Sequence, residues 1–210
     1  MPQIIDVTYF QKANELNIPL SVEMVVANPS LQTPNTQQEL TLLCQKVEKS
    51  ILLNALGLTT YNELQLALAD IDDPLYASYK KLVQGDEYDD KVWNGLNYDY
   101  SLIAYRILEQ FLVQSNERLT GVGNTQGNPE KSVLISPKYK IANANANFIK
   151  QYQGVYLHEP IVDGIFIDWF GNQDSINVSL YKYLLDKAAD FPDVEMAKFL
   201  IYEPQNSFGI

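Results

Sequence analysis

Apolar residues between positions 36 and 154 recur at the spacing of amphipathic helices. The capping box Thr36–Glu39 is followed by an apolar stripe at intervals of three and four residues, which predicts a helix that ends at Gly57. A second capping box, Thr60–Glu63, predicts a short helix to about Ala69. The predicted core therefore begins with two consecutive helices.

Three further helices are predicted in the same stretch. Residues 73–85 start with Asp-Pro, a favourable N-cap and first helical residue, and end in glycine. Residues 96–118 are apolar on most sides, so this helix is predicted to lie at the centre of the bundle, with neighbours packed around it. Residues 136–152 begin with Ser-Pro and carry an Asn-Ala-Asn-Ala-Asn run, whose small side chains allow another helix to approach closely.

The segments on either side of these helices differ in character. Four prolines interrupt residues 1–35 and exclude long helices, so this segment is predicted to be an extended N-terminal arm. The helical core spans residues 36–154 and contains a flexible, glycine-containing loop over residues 119–135. Residues 155–210 are predicted to be a C-terminal extension.

The C-terminal extension is predicted to mix helix and strand. Asp163-Gly164 favours a two-residue turn between a pair of strands over residues 161–170. A short helix over residues 179–189 and an extended piece over residues 199–202 follow. The predicted fold class is mainly α: a helical bundle of four to five helices, with an extended N-terminal arm and a small α+β C-terminal extension.

Charge and rare residues narrow the function. The chain of 210 residues has 26 acidic and 15 basic residues, for a net charge of −11, which argues against sequence-independent nucleic-acid binding. One cysteine, Cys44, and one histidine, His158, exclude two-cysteine and two-histidine metal sites. Neither a secretory signal nor an apolar run of about 20 residues is visible, so we expect a protein of a reducing cytoplasm with no membrane partner.

No motif selects a reaction. The glycines of residues 121–127 lack the spacing of a dinucleotide-binding fingerprint. The acids of residues 70–73 and 86–90 lack the glycine of a calcium loop, which leaves N-caps and solvated linkers as their predicted roles. The sequence contains no Gly-x-Ser-x-Gly motif whose serine could act as a nucleophile with His158 as its base. We therefore expect no catalytic residue, cofactor or metal, although the many acids leave a hydrolase with a carboxylate pair as an alternative.

The chain contains 14 tyrosines, which is unusual for its length. Tyrosine is favoured where protein surfaces meet a partner, because its rigid apolar ring ends in a polar hydroxyl. One interpretation is a Tyr-rich surface that serves protein contacts. The other is that the tyrosines are spread along the edges of the core.

An ordered set of features in the middle of the chain resembles a known family. In chain order they are Leu56-Gly57-Leu58, Tyr61-Asn62-Glu63-Leu64, Trp93-x-Gly95-Leu96, a long helix with Ala104-Tyr105, Thr120-Gly121-Val122-Gly123, and a polar stretch before a final helix. Over roughly residues 20–155 the chain resembles the head–tail connector (adaptor) proteins of tailed bacteriophages, particularly those of crAss-like phages. The last 55 or so residues depart from the short core of that family.

The resemblance implies a non-enzymatic virion protein. Members of the family are helical-bundle subunits of a ring of about twelve copies beneath the portal of the capsid. The implied partners are further copies of the chain, the portal protein and adjacent tail or neck ring proteins, while genomic DNA passes through the channel without specific binding. The implied location is the neck of the virion, after assembly in the host cytoplasm.

Three stretches are predicted to contact neighbouring subunits. The loop is chosen because it joins the last two long helices, and the two ends because they are longer than the core requires. The candidate residues are Thr120, Gly121, Val122, Gly123 and Asn124 in the loop, Ile4, Ile5, Tyr9 and Phe10 in the arm, and Phe208 and Ile210 at the C-terminal end. A monomeric cytoplasmic adaptor that binds one host protein is a further alternative.

Overall fold

The computed structural model describes residues 2–12, 14–18, 36–116, 118–120, 123–125, 138–156, 166–167 and 176–202. These ranges contain five α-helices: α1 Thr36–Ala67, α2 Ala77–Gln84, α3 Leu102–Asn116, α4 Lys138–Tyr152 and α5 Leu180–Asp186. They also contain three antiparallel strand pairs: β1 Asp86–Tyr88 with β2 Lys91–Trp93, β3 Arg118–Thr120 with β4 Gly123–Thr125, and β5 Val155–Tyr156 with β6 Phe166–Ile167. The predicted fold class, a mainly α bundle with a small α+β extension, is confirmed.

Helix α1 is interrupted at Gly57, where the backbone (φ 75°, ψ 173°) is not helical. The predicted end of the first helix is therefore confirmed, since this region of φ and ψ belongs to glycine. The helix start predicted at the second capping box, Thr60–Glu63, is wrong. The helix resumes at once after Gly57, and Thr60 lies inside it, buried, with a hydroxyl that has no hydrogen-bond partner within the described ranges. Burial of the neighbouring Tyr61 and Leu64, and not a cap, fixes this segment in the core.

The start of α2 follows its sequence signals. Asp73 accepts a hydrogen bond from the Leu75 N–H at 2.9 Å and caps a 3-10 helix, Pro74–Tyr76, which leads directly into α2. Gly85 ends α2 with φ 108°. Both ends predicted for this helix are confirmed.

The acidic residues that follow are not a solvated linker. Residues 86–90 enter the hairpin β1–β2, in which Asp86 is aligned with Trp93 and Tyr88 with Lys91. Asp89 and Asp90 form its turn with φ values of 46° and 60°, a conformation that aspartate tolerates better than most residues. The Trp93 ring is buried and its indole N–H donates to the Leu82 carbonyl at 2.9 Å. The aromatic anchor explains why an acidic sequence pairs as strands.

Helices α3 and α4 form the closest helix pair of the bundle. Helix α3 begins after Ser101, not at Leu96 as predicted, because the Ser101 hydroxyl accepts from the Ile103 N–H at 3.2 Å and donates to the Leu96 carbonyl. In α4 the small residue Ala144 is buried, which confirms the close approach predicted for the Asn-Ala run. Its neighbour Asn145 is also buried and donates to the Glu109 carboxylate of α3 at 3.2 Å.

The strand pairing in the C-terminal extension differs from the prediction. Phe166 is aligned with Tyr156, and Ile167 with Val155, so the partner of β6 is the end of the core and not residues 161–163. The proposed turn Asp163-Gly164 lies outside the described residues. Strand β6 pairs instead with β5, which begins directly after Gly154 at the end of α4. The Asp163-Gly164 turn signal did not reveal this pairing.

The end of the extension packs back onto the core. The short helix predicted over residues 179–189 is present as α5, and Ser179 caps it by accepting from the Lys182 N–H. The Gln153 side chain pairs with the backbone of Tyr202 at both ends, accepting from its N–H and donating to its carbonyl at 2.7 Å each. Residues 199–202 belong to no helix or strand, so the extended piece predicted there stays a prediction; the Gln153 side-chain amide holds the backbone of Tyr202.

Of the 13 tyrosines whose burial is described, six are buried and five are half-buried. Tyr152 and Tyr183 are almost fully buried: Tyr152 lies 5.2 Å from the Phe148 ring centroid, and Tyr183 stacks on Trp93 at 5.3 Å. Among the tyrosines whose burial is described, Tyr100 and Tyr139 are the exposed ones. The interpretation of a Tyr-rich surface is therefore wrong for these ranges, since the rings join the helices to the C-terminal extension.

Two glycines with positive φ are expected to respond differently to substitution by alanine. An alanine Cβ at Gly57 would meet no atom within 4 Å, so only backbone strain acts, and we expect a loss of about 1–3 kcal/mol in the free energy of unfolding. At Gly95 the Cβ would lie 2.6 Å from backbone atoms of residues 83–85, so Gly95→Ala should cost clearly more. Urea titrations followed by circular dichroism measure both values. Equal losses would contradict this packing.

Candidate interaction surface

The N-terminal segment, residues 2–18, is packed on its own subunit. Ile5 and Phe10 are fully buried, and Tyr9 is almost so, within and beside a 3-10 helix, Val7–Gln11. Ile4 is partly buried against the same core. An extended arm is therefore wrong for this segment, and so is the predicted role of Ile5, Tyr9 and Phe10 in contacts between subunits; the predicted role of Ile4 stays a prediction. These apolar side chains are buried against the core of their own subunit.

Glu48 of α1 anchors this segment. Its carboxylate is buried and accepts hydrogen bonds from the Ile4 N–H at 3.1 Å and the Ile5 N–H at 2.9 Å. Burial raises the pKa of Glu48, and the hydrogen bonds from Ile5 and Ile4 offset part of that rise. Further along, Tyr105 of α3 donates to Glu15. The segment is thus tied to both α1 and α3.

The other candidate residues are only partly described. Thr120 is aligned with Gly123, and Leu119 with Asn124, so the predicted flexible loop contains a β-hairpin, β3–β4, between α3 and α4. Gly121 and Val122 lie outside the described residues, as do Phe208, Ile210 and His158. The predicted contacts of the hairpin and of the C-terminal end stay predictions.

A cavity of about 410 Å³ opens between the N-terminal segment and the two halves of α1; we call it the α1 pocket. Glu48 and Tyr61 are its most buried lining residues. Gln3 and Gln65 also line it, and their side-chain atoms Nε2 and Oε1 are buried without hydrogen-bond partners in the described part of the chain. The exposed residues of its rim are Pro2, Leu42, Gln45, Lys46 and Lys49. Sequence patterns did not reveal this pocket, because it depends on how the N-terminal segment docks.

A second cavity of about 460 Å³ lies beside the break at Gly57 and is partly lined by residues 193–200. It contains two carboxylates, Asp193 and Glu195, and so offers a setting for the alternative of a carboxylate pair. Both residues are exposed, and Glu195 forms an ion pair with Lys198 at 2.7 Å. A general acid requires a desolvated carboxyl, and neither residue has that setting.

Large apolar side chains are exposed after Gly57. Leu58 and Leu66, which we call the leucine ridge, are 68% and 62% exposed and lie about two turns apart on the second half of α1. Leu200 is also largely exposed and lines the same cavity as Leu58. Buried residues occupy the other side of this half-helix, so the ridge lies opposite a complete core.

A group of ion pairs joins the hairpin β1–β2 to α2 and α5. The Asp86 carboxylate, only 7% exposed, lies 3.3 Å from both Lys81 and Lys187. Asp186 lies 2.8 Å from Lys91 and accepts a hydrogen bond from the Tyr88 hydroxyl at 3.0 Å. The buried Asp86 carboxylate and the partly covered Asp186 carboxylate join the C-terminal extension to the core. The sequence prediction missed these contacts because Lys187 is 101 positions from Asp86 and Lys91 is 95 positions from Asp186.

The described residues contain no group of three or more histidine, cysteine or acidic side chains that could hold a metal ion. None of the described helices is long and apolar enough to span a membrane. In comparisons with known proteins, no family model, no curated protein and no solved structure matches the chain. The interpretation of function therefore rests on the chain's own residues and on its surfaces.

Cys44 reports on docking of the N-terminal segment. Its thiol is fully buried, and burial, with the nearby charges of Glu48 and Asp6, raises the pKa of Cys44 to about 12. Because the thiolate is the reactive form, labelling of the folded protein should be slow. Glu48→Ala leaves two buried N–H groups without acceptors, and we expect labelling by a thiol reagent to be about tenfold faster or more.

The matched control is Glu39→Ala, which removes an exposed carboxylate from the same helix and should leave the labelling rate unchanged. Equal labelling rates in wild type and Glu48→Ala would show that the segment does not depend on this anchor.

Asp186 should make stability fall in acid. Burial opposes its ionisation, but hydrogen bonds from Lys182, Lys91 and Tyr88 outweigh burial and lower the pKa of Asp186. A carboxyl with a lower pKa in the folded state stabilises above the unfolded pKa of about 4, and this contribution is lost as pH falls below it. Asp186→Asn should therefore lower the free energy of unfolding at pH 7 by about 1–3 kcal/mol, and less at pH 3.

Denaturant titrations at the two pH values measure this difference. Asp72→Asn is the control, because Asp72 forms an exposed pair with Lys80 and should matter by less than about 0.5 kcal/mol. A loss from Asp186→Asn that is the same at pH 3 and pH 7 would contradict the assignment.

Proposed function

We propose that this chain is a structural virion protein: a subunit of an oligomeric head–tail connector ring between the portal and the tail of a tailed bacteriophage. Its partners are other copies of itself, in a ring of about twelve, the portal protein and the adjacent tail or neck rings. The ring surrounds a channel through which genomic DNA passes without specific binding. The protein is assembled in the host cytoplasm and resides in the neck of the virion.

The observation that carries this proposal is the leucine ridge. Leu58 and Leu66 are mostly exposed although the same half-helix buries Leu64 completely. Burial of a leucine side chain contributes about 1.5–3 kcal/mol, so two such residues on a rigid helix favour a contact with another protein. A ring subunit that seats on a neighbouring ring requires a rigid apolar surface of this kind.

Two further features support the proposal. The hairpin β3–β4 lies between α3 and α4, the place from which connectors of the resembling family reach a neighbour. The net charge of −11 makes an annulus of several copies strongly acidic, which disfavours adhesion of DNA to the channel wall. The cavity beside Gly57 presents its acids in exposed positions, so it gives little support to the alternative of a carboxylate-pair hydrolase.

Binding to the portal tests the proposal. Purified protein is mixed with assembled portal rings of the phage that encodes it and sedimented, and the wild type should co-sediment with the portal. Leu58→Ser combined with Leu66→Ser should reduce the bound fraction at least about tenfold, since each substitution removes apolar burial worth more than about 1 kcal/mol.

Leu75→Ser is the matched control: Leu75 is 78% exposed but lies outside the ridge, on the 3-10 helix before α2. Circular dichroism shows that each variant is folded. Wild-type protein that leaves all portal rings unbound would reject the proposed function, and a bound fraction unaffected by the double substitution would reject the ridge as its contact.

A further inference from the structure

We propose that the α1 pocket of one copy binds the Asp89–Asp90 turn of a neighbouring copy. This contact would join subunits within the ring, so it rests on the proposed function, whereas the leucine ridge serves the contact with the portal. The proposal combines three observations: two buried amide atoms without partners, two lysines without ion pairs, and a protruding acidic turn.

The floor of the α1 pocket has unmet hydrogen-bonding capacity. Gln3 Nε2 is a donor and Gln65 Oε1 an acceptor, and both atoms are buried without partners in the part of the chain that the structure describes. A buried polar atom without a partner costs about 1–3 kcal/mol, so a rotation of either amide toward an occupant that supplies its partner is favoured. A peptide backbone carries both acceptors and donors and can supply the partner that each amide lacks.

The rim of the pocket selects the charge of the occupant. Lys46 and Lys49 are exposed on α1, and neither forms an ion pair with a described residue. The only carboxylate lining the pocket is Glu48, which is already engaged by the backbone of the N-terminal segment. The rim therefore favours carboxylates on the occupant. A short acidic segment with accessible peptide groups fits both floor and rim.

The turn of hairpin β1–β2 is such a segment. Asp89 and Asp90 are exposed, adjacent and in left-handed backbone conformation, and no described ion pair occupies either carboxylate. Asp72 and Asp99 are already paired with Lys80 and Lys12. Among the other exposed acids of the described ranges, the turn is the place where two adjacent residues both present an unpaired carboxylate. The hairpin is held rigidly by the buried Trp93, so insertion of the turn requires little ordering.

The two surfaces lie on different elements of the subunit. The turn belongs to the hairpin that packs on α2 and α5, whereas the pocket lies between the N-terminal segment and α1. A contact between them is heterologous, and a heterologous contact repeats from copy to copy and forms a ring when the rotation between copies divides the circle. Because each copy has a net charge of −11, local pairing of opposite charges is what permits copies to approach.

Complementary charge swaps test this contact. Lys46→Glu/Lys49→Glu places acids against an acidic turn, and Asp89→Lys/Asp90→Lys places lysines against a basic rim. Each variant alone should lose self-association by about tenfold or more in sedimentation velocity, with and without portal rings. An equimolar mixture should recover wild-type association, because every contact in an alternating assembly then joins opposite charges.

Two controls keep the experiment decisive. Lysine is strained at the positive φ of the turn, so Asp89→Asn/Asp90→Asn provides a variant that keeps the turn but loses both charges; it should also associate about tenfold more weakly. Lys140→Glu/Lys150→Glu makes the same charge change on α4 and should associate like the wild type.

The outcomes separate this contact from the proposed function. If the wild type binds portal rings and the asparagine variant self-associates like the wild type, the turn-in-pocket contact is wrong and the proposed function stands. Failure of the mixture to associate, with both charge-swap variants folded, also overturns it, as does a wild type that remains monomeric with and without the portal. Wild-type protein that self-associates through this contact but binds no portal would overturn the proposed function instead.

Discussion

One buried carboxylate determines how the N-terminal segment fits against the helices of this subunit. Glu48 accepts hydrogen bonds from the Ile4 and Ile5 N–H groups, and through them it holds the N-terminal segment against α1. Burying a carboxylate is unfavourable unless its oxygens are satisfied, so the segment and the charge depend on each other. Once docked, the segment buries Phe10, reaches α3 through Glu15, and supplies one wall of the α1 pocket.

This anchoring changes which parts of the chain are available to other proteins. The arm that the prolines predicted is not available over residues 2–18, since its apolar side chains complete the subunit's own core. The surfaces that remain are the leucine ridge on the second half of α1, the α1 pocket and the acidic turn of β1–β2. All three lie on rigid elements, which is the property that a subunit of a regular assembly requires, because flexible contacts would not fix the angle between copies.

The sequence predicted those features that are encoded locally. The helix ends at Gly57 and Gly85 and the cap at Asp73 depend on neighbouring residues, and each is confirmed. Features decided by distant contacts were missed. The sequence Thr60–Glu63 fits a capping box, but packing against the core buries Thr60 within α1, so its hydroxyl does not cap a helix.

The same limit applies to the candidate site. The sequence predicts Asp86 to be a solvated acid, but in the fold it forms ion pairs with Lys81 and Lys187. The α1 pocket could not be predicted, because Gln3 and Gln65 are 62 positions apart and only docking of the N-terminal segment brings both to one cavity. The proposed ring rests on a resemblance in the order of motifs and on the exposed apolar side chains of the leucine ridge.

Electron microscopy of the protein assembled on its portal tests the central claim most directly. The account predicts class averages with rotational symmetry, in which a ring of subunits with this helical bundle surrounds an open channel and lies against the portal. A particle in which single, isolated copies of the chain decorate the portal at irregular positions, or no additional density is found on the portal, would contradict it.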